Sequence, residues 1–564
     1  MAGYDISDNI EKTLFVSAKK YAADKFPEKG FPEGVNSVLQ LTRDPEHGDL
    51  SSNIAMRLSS FLKRPPAEIA EGILGVFFEA LRGSSIEPYV GTAQVKGGFI
   101  NFRLSDLYYR GLLAEIMKKR ENYGRVRSGL GQKVNIEYVS ANPTGPLTIA
   151  HGRQAAIGDA LASILEYCGY SVTREYYLND MGNQINMLGR SLKVRYMNLG
   201  GEESPMPEDG YMGDYVIDMA MGLKDKLEKG ELLKEDLTDD FFREHAVERI
   251  MEMIHRDLED FRVRFDVWTK QSGIEKRNEV EATLQELERS GHIYSSEGAR
   301  WFRSTALGDD KDRVVVKSDG SFTYLAPDMA YHRDKYSRGF DRVIDLLGPD
   351  HHGYIKRMKA AVQALGHNAS SLDILIVQLV TLMRGGETVS MSTRKGEFVS
   401  LRELLDDIGS DVTRFCFLSR RLDSHLDLDV DLVKKESSDN PVFYMQYAHA
   451  RIRSIQKFSG KMPLRLIFTR TRLDMLTSEP ERQLMRKLGE FPFVLRSSAE
   501  SLEPNRLLTY LNELARSFHS FYTACRVVSE DRSMTKSRLF LVECTRIVLA
   551  NGLGVLNITL PERM

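Results

Sequence analysis

The run from Asn135 to His151 (Asn-Ile-Glu-Tyr-Val-Ser-Ala-Asn-Pro-Thr-Gly-Pro-Leu-Thr-Ile-Ala-His) gathers residue types whose spacing points to chemistry. Apolar side chains alternate at Val134, Ile136 and Tyr138, which predicts a strand delivering Glu137 and Asn142 to its C-terminal edge. The Pro/Gly loop of residues 142–146 carries no long side chain after Asn142, so a ligand can approach its backbone. A helix is expected from about His151 to Cys168, and its free N–H groups and positive dipole end suit an anion such as a nucleotide phosphate. Taken alone, the run reads equally as a tight strand-to-helix turn with a helix-capping Thr148 and a solvent-facing His151.

The elements that must position these residues follow from the surrounding text. A second strand is predicted over residues 172–178, and strand, Gly/Pro loop, helix, strand within about 45 residues is the pattern of a βαβ unit and a parallel sheet. Ligands in such sheets sit where strand ends meet helix starts. A Gly- and Pro-rich loop over 198–215 opens a mostly helical insertion expected to run to about Ser290. Strand-like pieces return at 314–316, 322–325, 343–347 and 372–379. Residues 1–115 read as a small α+β unit, with a helical stripe through Ile69, Ile73, Phe77 and Leu81 and an extended end broken at Gly97 and Gly98. A turn-rich joint at 128–132 precedes the next domain, and after Asp439 apolar spacing of three and four predicts a helical bundle.

Composition narrows the class. With 564 residues, 42% apolar and 28% charged, the chain is a multidomain globular protein. The net charge of -3 divides unevenly: from Pro441 onward 19 Lys and Arg face 11 Asp and Glu. A basic C-terminal portion is a plausible phosphate-binding surface, and equally a set of solvated helix faces. Four widely spaced cysteines read as reduced thiols. An acidic start and the lack of a long apolar run predict a cytoplasmic chain that neither is secreted nor spans a membrane. P-loop chemistry is excluded because the Gly460-Lys461 pair is followed by Met462. Asp427, Asp429 and Asp431 imitate a calcium loop, but Leu432 and Ser438 stand where Gly and Glu are needed. Neither a zincin nor a nucleophile-elbow motif is present, and no metal site is expected.

Several ordered blocks resemble the class I aminoacyl-tRNA synthetases, and among them the arginyl-tRNA synthetases. Thr148-Ile-Ala-His151 resembles the HIGH signature; Tyr176 to Ile185, Tyr324-Leu-Ala-Pro-Asp328-Met-Ala-Tyr-His, Gly348-Pro-Asp-His-His-Gly-Tyr354, Asp439-Asn-Pro-Val and Gln446 to Arg451 are similar to later family blocks. The resemblance covers nearly the whole chain. It implies an α/β fold: a Rossmann-like catalytic domain over 130–435 with a connective insertion near 190–290, an N-terminal α+β domain over 1–115 that touches tRNA, and an all-α anticodon-binding bundle over 439–564. It further implies that arginine is activated by ATP, with Mg²⁺ on the nucleotide and no dedicated protein metal site, and transferred to the terminal ribose of tRNA(Arg) by a monomer. By the same resemblance Glu137, Asn142, Asn179, Gln184, Tyr324 and Asp328 hold arginine. ATP would meet Asn142, Thr148, Ala150, His151, Gly348, Asp350, Met391 and Ser392, with Thr148, His151, Arg394 and Lys395 as catalytic groups. Asp328 by itself reads as a helix N-cap or a surface acid. A guanidinium, a planar cation with five donors, does however call for a carboxylate in a fixed plane.

The chain departs from the family pattern in both signature loops. Ala150 stands where glycine lets adenine lie against the backbone. In the KMSKS-like loop at about 390–397, Ser390 and Thr393 replace lysines, so positive charge must come from Arg394 or Lys395. These changes motivate a second reading, a paralogue with weakened adenylation that binds tRNA or arginine as a regulator. Phe443, Tyr444, Tyr447, Arg451 and Arg453 are candidates for holding single-stranded RNA, and equally for helix core.

Overall fold

A parallel sheet of five strands forms the centre of the computed structural model, in the order Leu372–Ile376, Arg342–Leu347, Lys133–Glu137, Ser171–Leu178, Val267–Lys270. The structure describes residues 3–35, 39–42, 44–385, 387–388, 399–434, 441–458 and 471–560. The expected junction at 435–439, the loop residues 390–397 and the closing Pro561 to Met564 lie outside the described residues.

Lys133–Glu137 is the middle strand because Val134 and Ile136 point into apolar layers and are fully buried. Its chain successor, Ser171–Leu178, lies on one side and Arg342–Leu347 on the other, both parallel. Strand order therefore reverses at Lys133–Glu137, and a crevice opens at the carboxyl ends of the strands beside it. The helix Ile149–Tyr167 follows the middle strand and is buried on almost every side, between the sheet and the helix Leu401–Leu418. Its close approach to the strand depends on Gly158, where an added Cβ would lie 2.2 Å from the Tyr138 ring.

Two expectations are corrected here. The insertion is mostly helical, as expected, but it does not run unbroken to about Ser290. The helices Asn183–Leu199, Asp214–Glu228 and Asp239–Asp260 give way to Val267–Lys270, which joins the central sheet as its edge strand beside residues 175–178. The four residues Val-Trp-Thr-Lys are too short to stand out by periodicity, and it is pairing that makes them a strand. Residues 322–325 are not a strand either. Phe322 forms one bridge to Val316, and the helix Leu325–Ser337 starts immediately afterwards. Between them, residues 293–316 form a small antiparallel sheet of three strands, of which the sequence pattern reveals only the last, Arg313–Val316.

At the N-terminal end, Leu39–Leu41, Leu50–Ser52, Phe99–Leu104 and Val90–Lys96 make a four-stranded antiparallel sheet packed on the helix Pro66–Leu81. Gly97 and Gly98, with φ of 59° and 84°, form its hairpin turn, where side chains are strained. At the other end, the helices Pro441–Phe458, Glu479–Ser501, Asn505–Ala524 and Arg532–Val555 pack as a bundle, with Leu507, Leu511, Leu514, Phe518 and Phe521 forming the buried stripe of one of them. Each such buried side chain contributes roughly 1.5–3 kcal/mol. The bundle also touches the N-terminal unit, where Arg486 donates to Asp49 at 2.6 Å.

Candidate active site

A cavity of about 700 Å³ occupies the crevice at the reversal of strand order. Eight of the residues singled out from sequence line it: Glu137, Asn142, Ala150, His151, Tyr324, Asp328, Gly348 and Asp350. Each comes from a strand end, a helix start or the loop between them, which is how a doubly wound sheet gathers distant residues.

On one wall, the helix Leu325–Ser337 presents Asp328, Tyr331 and His332 to the cavity at successive turns. The Tyr354 hydroxyl, from the first turn of the helix Tyr354–Ala364, donates to the Asp328 carboxylate. Burial pushes the Asp328 carboxyl up to about 6, against the opposing pull of Tyr354 and His332. Tyr324 caps the same helix but stays 89% exposed, so its ring stands at the cavity rim.

Beneath this wall is a cluster of buried charged groups. Lys335 Nζ donates to Glu137 Oε2 at 2.5 Å and to Asp345 Oδ1 at 2.8 Å. His332 bonds the Asp328 carbonyl oxygen through Nδ1 at 2.8 Å and Asp345 Oδ2 through Nε2 at 2.9 Å. Both partners are acceptors, so both ring nitrogens carry protons and the ring is an imidazolium. Burial lowers the His332 pKa, but Asp345 reverses this and holds it above the ordinary value. Asp345 in turn, though buried, is held well below the usual carboxylate range by Lys335 and His332. Glu137 Oε1 accepts from Ser140 Oγ at 2.8 Å, and Ser140 Oγ accepts from the Tyr177 amide at 3.0 Å. Val139 and Ser140 make this turn with φ of 69° and 39°, a left-handed backbone that non-glycine residues adopt only under constraint.

Opposite stands the start of the helix Ile149–Tyr167. Thr148 is its N-cap residue, and the Thr148 amide donates to His151 Nδ1 at 3.2 Å. With Nδ1 accepting, the ring proton sits on Nε2. Desolvation brings the His151 pKa down to about 4, so the ring is a neutral donor at pH 7. Thr148 also bridges Ser400, and Leu401 N donates to Leu147 O at 2.7 Å, so residues returning from the 390–397 loop pair with this helix start. Met391, Ser392, Arg394 and Lys395 lie outside the described residues.

Three sequence-derived candidates stand off from the cavity lining: Thr148, which caps the adjoining helix, Gln184 and Asn179. Gln184 reaches it indirectly by accepting from Asn142 Nδ2 at 2.9 Å, whereas the Asn179 side chain accepts from the Met181 amide and is not part of the lining. Sequence reasoning missed Ser140, Tyr331, His332, Lys335, Asp345 and Tyr354. The spacing of Tyr331, His332 and Lys335 from Asp328 (three, four and seven residues) was an available signal, as was an acid inside the apolar strand Val-Ile-Asp-Leu-Leu. No group of three or more His, Cys, Asp or Glu side chains is arranged to hold a metal among the described residues.

In the bundle, Arg451 stacks over Tyr447 and Tyr522 at 4.6 and 4.8 Å, beside a second cavity of about 960 Å³. Tyr444 packs on His519 and Phe443 on Tyr447. Of the aromatics expected there, Tyr447 is thus the one that lines this second cavity.

Three family models match the chain in succession: "Arginyl tRNA synthetase N terminal domain" over residues 5–104, "tRNA synthetases class I (R), catalytic domain" over 112–415 and "DALR anticodon binding domain" over 445–564. The chain is 45% identical over 534 residues to an arginine–tRNA ligase of Desulforamulus reducens, a match covering 93% of each chain. It is 44% identical over 564 residues to arginine–tRNA ligase 1 of Halalkalibacterium halodurans, covering 99% of each. The fold is similar to that of Thermus thermophilus arginyl-tRNA synthetase, with a TM-score of 0.75 at 22% identity over 98% of this chain and 100% of that one.

Proposed function

The chain belongs to the arginyl-tRNA synthetase family, and we propose that the cavity at its strand-order reversal is where arginine meets ATP. Its activity is that of an arginine–tRNA ligase, a class I aminoacyl-tRNA synthetase. A carboxylate oxygen of arginine attacks the α-phosphorus of ATP, the bond to the bridging oxygen breaks, and pyrophosphate leaves. A hydroxyl of the terminal ribose of tRNA(Arg) then attacks the carbonyl carbon of arginyl-adenylate, and AMP departs.

In this reading Asp328, oriented by Tyr354, takes the guanidinium, with Tyr324 closing over it from the rim. Glu137 and Asn142 hold the amino-acid end, and Gln184 steadies Asn142. The start of the helix Ile149–Tyr167, with Thr148 and His151, faces the phosphates, while Ala150, Gly348 and Asp350 border the nucleoside. Arg394 and Lys395 steady the departing pyrophosphate. Mg²⁺ arrives on the ATP phosphates, the usual mode for an ion that keeps most of its water, and offsets their charge. The chain acts as a monomer in the cytoplasm; among the described residues no helix is long and apolar enough to cross a membrane.

The observation carrying this reading is that one cavity joins a desolvated acid at one end to a helix start with a neutral histidine at the other. A regulator without adenylation would need no such pair, and that alternative is not favoured. The test is a charging assay with radiolabelled arginine and tRNA(Arg), together with arginine-dependent ATP–pyrophosphate exchange. Arginyl-tRNA is expected to accumulate. Binding of arginine and tRNA without any exchange would overturn the reading.

A further inference from the structure

Four acids line the cavity; Asp350 is exposed to solvent, and the other three, Glu137, Asp328 and Asp345, are not equivalent. Glu137 and Asp345 share the Lys335 ammonium, and Asp345 also takes a proton of the His332 imidazolium. Asp328 receives only the neutral Tyr354 hydroxyl. The Lys335 side chain has no solvent exposure, and its third side is covered by the Tyr331 ring at 4.5 Å. Behind the cluster Arg338 bonds Glu175 at 2.8 Å, while on the cavity side Arg357 lies over the Tyr354 ring at 5.9 Å. A buried ion cluster of this kind is a poor source of stability, because apolar residues of the same volume do as well. Its effect on the cavity is specific: Glu137 and Asp345 are each bonded to a buried cation from behind, whereas the Asp328 carboxylate is bonded to a neutral hydroxyl and feels the His332 imidazolium only from a distance.

We propose that Lys335 is a positioning residue for the substrate: by compensating Glu137 and Asp345 it leaves Asp328 as the acid that takes the guanidinium, so arginine enters in one orientation. Arginine has a cation at each end. With three equally hungry acids in one cavity, the guanidinium could pair with Glu137 or Asp345 and turn its carboxylate away from the helix start that faces ATP. Lys335 also fixes the rotamer of Glu137, so that the α-ammonium meets an oriented acceptor. This inference rests on reading the cavity as the arginine site.

The experiment uses the full chain. Lys335→Gln keeps a donor and removes the charge. Wild type and variant are compared by calorimetry with arginine and by the rate of ATP–pyrophosphate exchange with tRNA(Arg) present. Misoriented binding keeps affinity but loses turnover, so the exchange kcat is expected to fall about tenfold or more while the arginine Kd changes by no more than about threefold and the KM for ATP stays within about twofold. Lys335→Arg, which keeps the cation, is expected to recover kcat to within about threefold of wild type. If the glutamine variant does not fold, as judged by its melting transition, the arginine variant decides: retained turnover supports the proposal, and a folded arginine variant with turnover lost overturns it. A glutamine variant with unchanged kcat, or one that loses arginine affinity in proportion to kcat, also overturns it. Absence of arginine binding by the wild type would sink the arginine-site reading itself, whereas wild-type binding with an indifferent Lys335→Gln sinks only the role given to Lys335.

Discussion

The Tyr354 hydroxyl donates to the carboxylate of Asp328, a bond across 26 residues of sequence that ties two helices together at the cavity wall. It orients an acid whose pKa burial raises and whose ionised form the hydroxyl favours. Replacing Asp328 with Ala is expected to remove arginine binding, at a cost of about 3 kcal/mol or more, because the guanidinium is left without a counter-charge. Tyr354→Phe removes the orienting donor and is expected to weaken arginine by about 1–2 kcal/mol. Calorimetry with arginine measures both, and unchanged affinity in the alanine variant would remove Asp328 from the site.

The same acid gives the site a pH signature. Its carboxyl stands at about 6 in the folded protein, raised by burial from its ordinary value of 3.8. A raised carboxyl pKa means that the folded state holds the proton more tightly than the unfolded one. The stabilisation from that proton is therefore complete below about 3.8 and is lost as pH rises through about 6. Bound arginine supplies the missing cation above that point. Arginine affinity is thus expected to fall roughly tenfold per pH unit below 6, and the rise in melting temperature caused by arginine to be larger at pH 7.5 than at pH 5. An affinity that is flat from pH 5 to 7.5 would show an Asp328 carboxyl ionised throughout. Asp328→Asn should abolish the pH dependence and leave the free chain at least as stable, since an amide carries no charge to desolvate.

These two residues also show what sequence could and could not reveal. Asp328 was legible through the resemblance of residues 324–332 to a family block, and the helical turn that brings it to the cavity follows from spacing. Its partner Tyr354 was visible only as the end of another block, because a hydrogen bond between two helices depends on how they pack together, which no local pattern encodes. The parallel sheet and the helix Ile149–Tyr167 were legible because alternation and the Gly/Pro loop signal a βαβ unit. The edge strand Val267–Lys270 was not, because four residues carry too little periodicity. Lys335 was passed over because a lysine in a helix is ordinarily solvated, and only the structure shows it with no exposure between two acids.

Ala150 offers a direct test of the altered signature loop. It lies in the first turn of the helix Ile149–Tyr167, half-buried and facing the cavity. A methyl group there narrows the space in which a base can stack against the backbone. Ala150→Gly is therefore expected to leave exchange activity equal or higher, with a lower KM for ATP, although glycine within a helix costs about 1 kcal/mol of stability. A large loss of activity with the melting temperature preserved would mean that the loop has been rebuilt around the methyl group.

Arg153 carries the consequence furthest from the substrates. Its guanidinium, fully buried, donates to four backbone carbonyls: Gln378 at 2.8 Å, Leu379 at 3.2 Å, and Arg421 and Ser424 at 2.9 Å each. The first two immediately precede the strand Val380–Arg384, and the others precede its parallel neighbour Leu426–Asp429. One side chain, two residues beyond His151, therefore ties the start of the helix Ile149–Tyr167 to the segments leading into both strands, and Gln378 and Leu379 of the first segment line the cavity. Burial lowers the Arg153 pKa to about 10, which still leaves it charged at neutral pH, so the four carbonyls receive charge-assisted bonds. Arg153→Met fills much of the volume but abandons all four acceptors. It is expected to destabilise the chain by about 3 kcal/mol or more and, at temperatures where it remains folded, to depress the exchange kcat more than the KM for arginine, since Asp328 is held by a different helix. Arg153→Lys can satisfy two or three of the carbonyls and should fall between. Thermal melts and exchange kinetics on the same preparations check both parts. A methionine variant with wild-type turnover would show that the helix start is held by its packing against the sheet alone.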